Sequence, residues 1–143
     1  MTSEEMIRAV LEKHPTLTAN GFDVSTREGF QACRDHLLHS QGREEFEAAR
    51  DWLSRVPKVQ RCRYSSYFLK HCAEEWSGEY VSNGAFIAAA FCLGFKVSRR
   101  SGLNAGIGVG ASDKWPASQS QALDVFVRRG YWPPHWPRAQ AAA

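Results

Sequence analysis

Between Gly84 and Phe95 the chain reads GAFIAAAFCLGF, a helical stretch with almost no polar position. Phe86, Ile87, Ala90, Phe91, Cys92 and Leu93 surround the helix axis instead of lining one side of it, and a helix that is apolar all round has to be buried. The rest of the chain must then supply elements that cover it. The run is far too short to span a bilayer, which takes about 20 apolar residues. It therefore reads as the core of a water-soluble domain, and 143 residues with 43% hydrophobic and 23% charged positions suffice for one such domain.

Amphipathic segments with recognisable ends precede this helix. Residues 3–13 have Ser3 as a candidate N-cap, acids in the first turn and Met6, Val10 and Leu11 on one face. Pro15 ends that helix, and residues 16–24 read as a loop with an Asn20-Gly21 turn signal. A second helix starts at Ser25 or Thr26, with Glu28 as capping-box partner, and carries Phe30, Cys33, Leu37 and Leu38 to a break at Gln41-Gly42. A third, Arg43 to Arg55, carries Phe46, Ala49, Trp52 and Leu53, and the short link predicts an antiparallel pair with the second. Residues 58–63, KVQRCR, are open between linker, strand and helix extension. The fourth helix, Ser65 to Trp76, sets Phe68, Leu69, Cys72 and Trp76 against a polar face of Tyr67, Lys70, His71, Glu74 and Glu75.

After the apolar helix, Gly94 supplies a C-terminal break. Lys96–Arg99 and Ala105–Val109 then suit two strands of a hairpin, with Val97, Ile107 and Val109 at alternate spacing. Glycines at 106, 108 and 110 predict close approach of another backbone. A last helix, Ser118 to Arg129, carries Leu123 and Phe126 into the core. The expected organisation is one mainly α domain over residues 1–138, with a helix-turn-helix-like pair and a small β-hairpin wing. Residues 1–57 supply the N-terminal helices, 58–110 the pair and the wing, 118–138 the last helix and a Trp/Pro tail, and 139–143 a frayed end.

Two helices followed by a basic wing is a common DNA-binding layout. Lys58, Arg61 and Arg63 precede the pair, and Lys96, Arg99 and Arg100 follow it. Both clusters are candidate phosphate contacts. The second helix has no Arg, Lys, Gln or Glu, so only Ser82 and Asn83 at its start could touch bases, and Tyr67, Lys70 and His71 on the preceding helix offer another contact face. The same pair reads equally well as the plain core of an α-rich domain. Ser82-Asn83-Gly84 resembles an anion-binding helix start, although capping by Ser82 accounts for it more simply. The net charge of +3 permits nucleic-acid binding without requiring it.

No catalytic or metal motif stands out, and neither an enzyme nor a cofactor is expected. His36 and His39, beside Asp35, lack the tight four-ligand grouping of a zinc site. Cys33, Cys62, Cys72 and Cys92 are scattered, with no CxxC pair, and read as thiols of a cytoplasmic protein. The N-terminus lacks a signal-peptide pattern, and no membrane association is expected. Tyr131, Trp132 and Trp136 stand in a proline-rich segment that could bind a protein partner, join a second copy or cover its own domain.

Leu69-Lys70-His71, Glu74, Tyr80-Val81-Ser82-Asn83-Gly84, Phe86-Ile87-Ala88-Ala89-Ala90, Gly94-Phe95 and Asn104-Ala105 together resemble a pattern of small accessory proteins carried on bacterial plasmids and phages. The resemblance covers about a third of the chain and implies a mobile-element setting, without implying a mechanism. The leading expectation is a DNA-binding accessory or regulatory protein. The alternative is an inhibitor or adaptor that binds a host protein through the aromatic tail.

Overall fold

A computed structural model describes residues 1–24, 28–100 and 102–110. The predicted last helix, the tail with Tyr131, Trp132 and Trp136, and the proposed capping at Ser25 lie outside the described residues. The elements run α1 (Ser3–Lys13), β1 (Leu17–Thr18), β2 (Gly21–Phe22), α2 (Phe30–His36), α3 (Ser40–Leu53), β3 (Tyr64–Ser65), α4 (Ser66–Ser77), α5 (Asn83–Cys92), β4 (Val97–Arg99) and β5 (Ala105–Ile107). The chain is mainly α with small antiparallel β elements, as the sequence predicts.

The apolar helix is the centre of the fold. Every residue of α5 from Asn83 to Ala90 is buried, with α3 packed most extensively on it and α1 and α4 on its flanks. Phe86 is fully enclosed, with its ring 6.0 Å from that of Trp52 on α3. The helix ends as its sequence predicts. Gly94 takes a left-handed φ of 79°, and the Gly94 and Phe95 N–H groups donate to the Phe91 and Ala90 carbonyls, which closes the last turn. Burial stops short of the helix end. Phe91 is only half-buried and stacks on His14 at 4.0 Å, Leu93, Phe68, Trp76 and Val97 also sit at the margin of the core, and Phe30 is only partly buried.

Several boundaries differ from the sequence reading for identifiable reasons. The N-cap of α1 is Thr2, whose hydroxyl accepts the Glu5 N–H while the Glu5 carboxylate accepts the Thr2 N–H. Residues 16–24 are a two-strand hairpin, β1 paired with β2, instead of a loop. The second helix begins at Phe30 and packs principally on β1, not alongside α3. Gly42 does not break a helix. It is buried inside α3, where any Cβ would collide with the His36 carbonyl oxygen, so glycine lets α3 press directly on the end of α2. Glu45, one turn on, is a buried carboxylate that accepts the Ser82 N–H at 2.9 Å and lies 3.2 Å from His36 Nε2.

Candidate nucleic-acid interface

The segment 58–63, left open by its sequence, decides the shape of the basic region. β5 is the middle strand of a three-stranded antiparallel sheet ordered β3-β5-β4. Tyr64 pairs with Ile107 and Ser65 with Gly106 on one side, and Val97, Ser98 and Arg99 pair with Ile107, Gly106 and Ala105 on the other. Lys58 bridges Val109, and the Val59 N–H donates to the Gly108 carbonyl at 2.8 Å. Residues 57–65 thus follow one edge of β5 in two paired stretches, with residues 60–63 displaced between them.

That displaced loop leans across β5 toward β4. The Cys62 thiol reaches the Lys96 carbonyl, and the Arg100 guanidinium donates to the carbonyls of Cys62 and Arg63. The glycines of β5 permit this. A Cβ on Gly106 would meet Arg100 Nε at 2.8 Å and Ser98 Oγ at 2.6 Å, and one on Gly108 would collide with the Val59 carbonyl. A bare strand face admits both the arginine side chain and the neighbouring backbone. The two basic clusters, about 35 positions apart in sequence, therefore meet on one side of the sheet.

Strand alternation then sorts the individual cations. Ser98 and Arg100 share the outer face with Gly106, and Lys96 stands beside Gly108. Arg61 and Arg63 are exposed on the overlying loop. Neither 57–66 nor 94–110 contains an Asp or Glu, and among the described residues no salt bridge joins Arg61, Arg63, Lys96 or Arg100. Arg99 does not join this group. It points to the opposite face, with its guanidinium 4.0 Å from the Phe22 ring centroid. Lys58 sits at the other end, over the Phe95 ring at 5.4 Å. Of the six flanking cations, Lys96 and Arg100 thus lie on this face beside the loop that exposes Arg61 and Arg63, while Lys58 and Arg99 are held over aromatic rings.

The position of Arg99 has a measurable consequence. His14 is partly buried, and this burial, aided by the positive charges of Arg99 and Lys13, holds its pKa below the ordinary 6.5. The unfolded chain therefore takes up a proton at His14 more readily than the folded one. As pH falls below about 6.5, this histidine contributes a loss of stability that ends only below its folded pKa. His14→Gln is expected to lessen the fall in urea midpoint between pH 7 and pH 5. An unchanged pH profile in the variant would contradict the assignment.

On α4 the polar face forms a compact cluster. The Lys70 side chain is 6% exposed, and its Nζ donates to Glu74 Oε1 at 2.7 Å. Its ammonium lies 5.2 Å from the Tyr67 ring centroid and 5.1 Å from that of Tyr80. Glu74 also accepts the Val81 N–H and contacts His71 Nδ1 at 3.1 Å. Lys70, expected on the alternative contact face of α4, is therefore buried and paired with Glu74 instead of presented to a ligand. Tyr67 stays exposed at 52%, and Tyr80 is exposed at 62%. Glu74, expected on a solvated face, is the acceptor that organises the cluster; its spacing of four from Lys70 was the signal available in the sequence. Tyr80 was missed as a site residue because its loop showed no periodicity to place it.

The start of α5 corrects the helix-turn-helix expectation. Ser82 is 4% and Asn83 6% exposed, so neither presents to a base edge. The Ser82 hydroxyl accepts the Ala85 N–H, and the Gly84 N–H donates to the Ala19 carbonyl, so plain capping holds and the N–H groups of Gly84 and Ala85 are not open to an anion. Asn83 Nδ2 donates to the Asn20 carbonyl and to Asn104 Oδ1, both at 3.0 Å, fastening β1–β2 and the β4–β5 loop to the helix. A recognition helix must be exposed to enter a groove. The second helix of this pair is instead the centre of the core.

No protein-family model matches the chain, and comparisons with curated proteins and with solved structures find no match. Among the described residues no helix is long and apolar enough to cross a membrane, and no group of three or more His, Cys, Asp or Glu could hold a metal ion.

Proposed function

We propose that this protein binds DNA by its phosphate backbone, through Arg61, Arg63, Lys96 and Arg100 on the outer face of the small sheet. The single observation that carries the reading is the convergence of two acid-free basic segments onto one face, clasped by the Arg100 hydrogen bonds to Cys62 and Arg63. A cluster of like charges costs self-repulsion in the folded state, and a polyanion relieves it. The reading is one of binding, not of catalysis, and it suits an accessory or regulatory protein of a mobile element, the setting implied by the sequence resemblance. Contact comes from strands and a loop, without a recognition helix.

Fluorescence anisotropy with a labelled oligonucleotide tests this directly. Binding is expected at 50 mM salt, with log Kd rising against log salt at a slope of about 3 to 4, the counterion release of roughly four phosphate contacts. No binding at 50 mM salt would end the DNA reading. The aromatic tail with Tyr131, Trp132 and Trp136 would then become the place to look for a protein partner.

A further inference from the structure

We propose that the DNA bound is single-stranded, with Tyr67 and Tyr80 serving as stacking platforms for its unpaired bases. This inference rests on the phosphate-binding reading above and adds a ligand class to it. Both rings are more than half exposed, yet neither hangs loosely from the surface. Each lies about 5 Å from the Lys70 ammonium, which Glu74 holds in place at 2.7 Å, and the Tyr67 ring also meets the His71 ring edge-on at 4.6 Å. The cation is buried and its two aromatic walls face outward. A ring already fixed in position loses little entropy when a base settles on it.

The chain also ties Tyr67 to the loop that carries Arg61 and Arg63. The Ser66 hydroxyl accepts the Ala105 N–H, which fixes the first turn of α4 against β5. Tyr67 is the next residue, four positions from Arg63, a distance that chain geometry limits to about 14 Å. A strand whose phosphates lie along Arg61, Arg63, Lys96 and Arg100 would meet Tyr67 within a few nucleotides, with Tyr80 against the same Lys70 ammonium. Single-strand binders combine these two parts, a positive track for the backbone and aromatic faces for the bases. Duplex readers place an exposed helix or ribbon in a groove, and the burial of α5 removes the helix that this pair would have offered.

The test compares three labelled ligands of equal length in the same buffer: a mixed-sequence single strand, its duplex, and a single strand of abasic sites. The wild-type protein should bind the single strand at least tenfold more tightly than either of the others. Tyr67→Ala with Tyr80→Ala should weaken single-strand binding by about tenfold per ring while leaving the salt slope unchanged, because stacking releases no counterions. Tyr67→Phe with Tyr80→Phe keeps both ring faces and should bind like wild type. Equal wild-type affinity for the normal and abasic strands overturns the proposal, and it does so even if the alanine variants fail to fold. Folded alanine variants that keep wild-type affinity overturn it as well. In both cases duplex binding with a steep salt slope leaves the phosphate reading standing, whereas absence of binding to all three ligands removes both.

Discussion

Replacing Phe86 with alanine is expected to lower the unfolding free energy by about 3–5 kcal/mol, the range for deleting an enclosed aromatic ring. Phe86 has no exposed surface and packs against Trp52 in the contact between α5 and α3, the most extensive helix contact of the fold. With α5 buried on every side over its first two turns, neighbouring side chains cannot close the gap without moving a second helix. For a chain of this size the change corresponds to a fall in thermal midpoint of roughly 10–15 °C. Phe91, one turn and a residue later, makes the control. It is half-buried, and its main aromatic partner is the His14 ring, so Phe91→Ala should cost about 1–2 kcal/mol. Equal losses at the two positions, measured by urea unfolding, would mean that α5 is enclosed along its whole length, contrary to the structure.

The position of α5 was readable in the sequence because it needs no long-range information. A segment without a polar face has only one place to go, and Gly94 marked its end. Periodicity likewise located α1, α3 and α4 to within a few residues. Failures came where a long-range contact overrides a local signal. Gly42 looked like a helix breaker, yet its missing side chain is what allows α3 to touch the His36 carbonyl. Residues 17–22 make strands too short for any alternation to show, and long-range hydrogen bonds from the Phe22 N–H to the Leu103 carbonyl and from the Gly84 N–H to the Ala19 carbonyl help to hold them.

The site was legible in composition but not in geometry. Six cations flanking a helix pair can be counted, but which of them share a face depends on strand register, and a shift of one residue reverses the face. Arg99 and Arg100 are adjacent in sequence and point to opposite sides for that reason. Lys70 and Asn83 read as polar surface groups. Their burial depends on Glu74 and Tyr80 in one case and on Asn20 and Asn104 in the other, partners brought together only by the fold.

The basic face carries the second large expected effect. Arg61→Ala, Arg63→Ala and Lys96→Ala in one chain should weaken single-strand binding on the order of a hundredfold at 0.1 M salt, since each phosphate contact on a single strand contributes about 0.7 of a decade relative to 1 M. The salt slope should fall by about 2. Arg100 is left intact in this variant because it has a structural duty. Its guanidinium satisfies the Cys62 and Arg63 carbonyls and holds the loop over β5, so removing it would confound lost charge with lost shape. The three substituted side chains are exposed and join no salt bridge among the described residues, so thermal stability should stay near the wild-type value. Arg99→Ala separates the two faces of the sheet. Its guanidinium lies over Phe22 on the opposite side, so its loss should leave the salt slope unaltered while lowering stability through the lost cation–π contact. A slope reduced as much by Arg99→Ala as by any one of the three would show that DNA approaches from the Phe22 side, and the interface would then have to be redrawn around β1–β2 and His14.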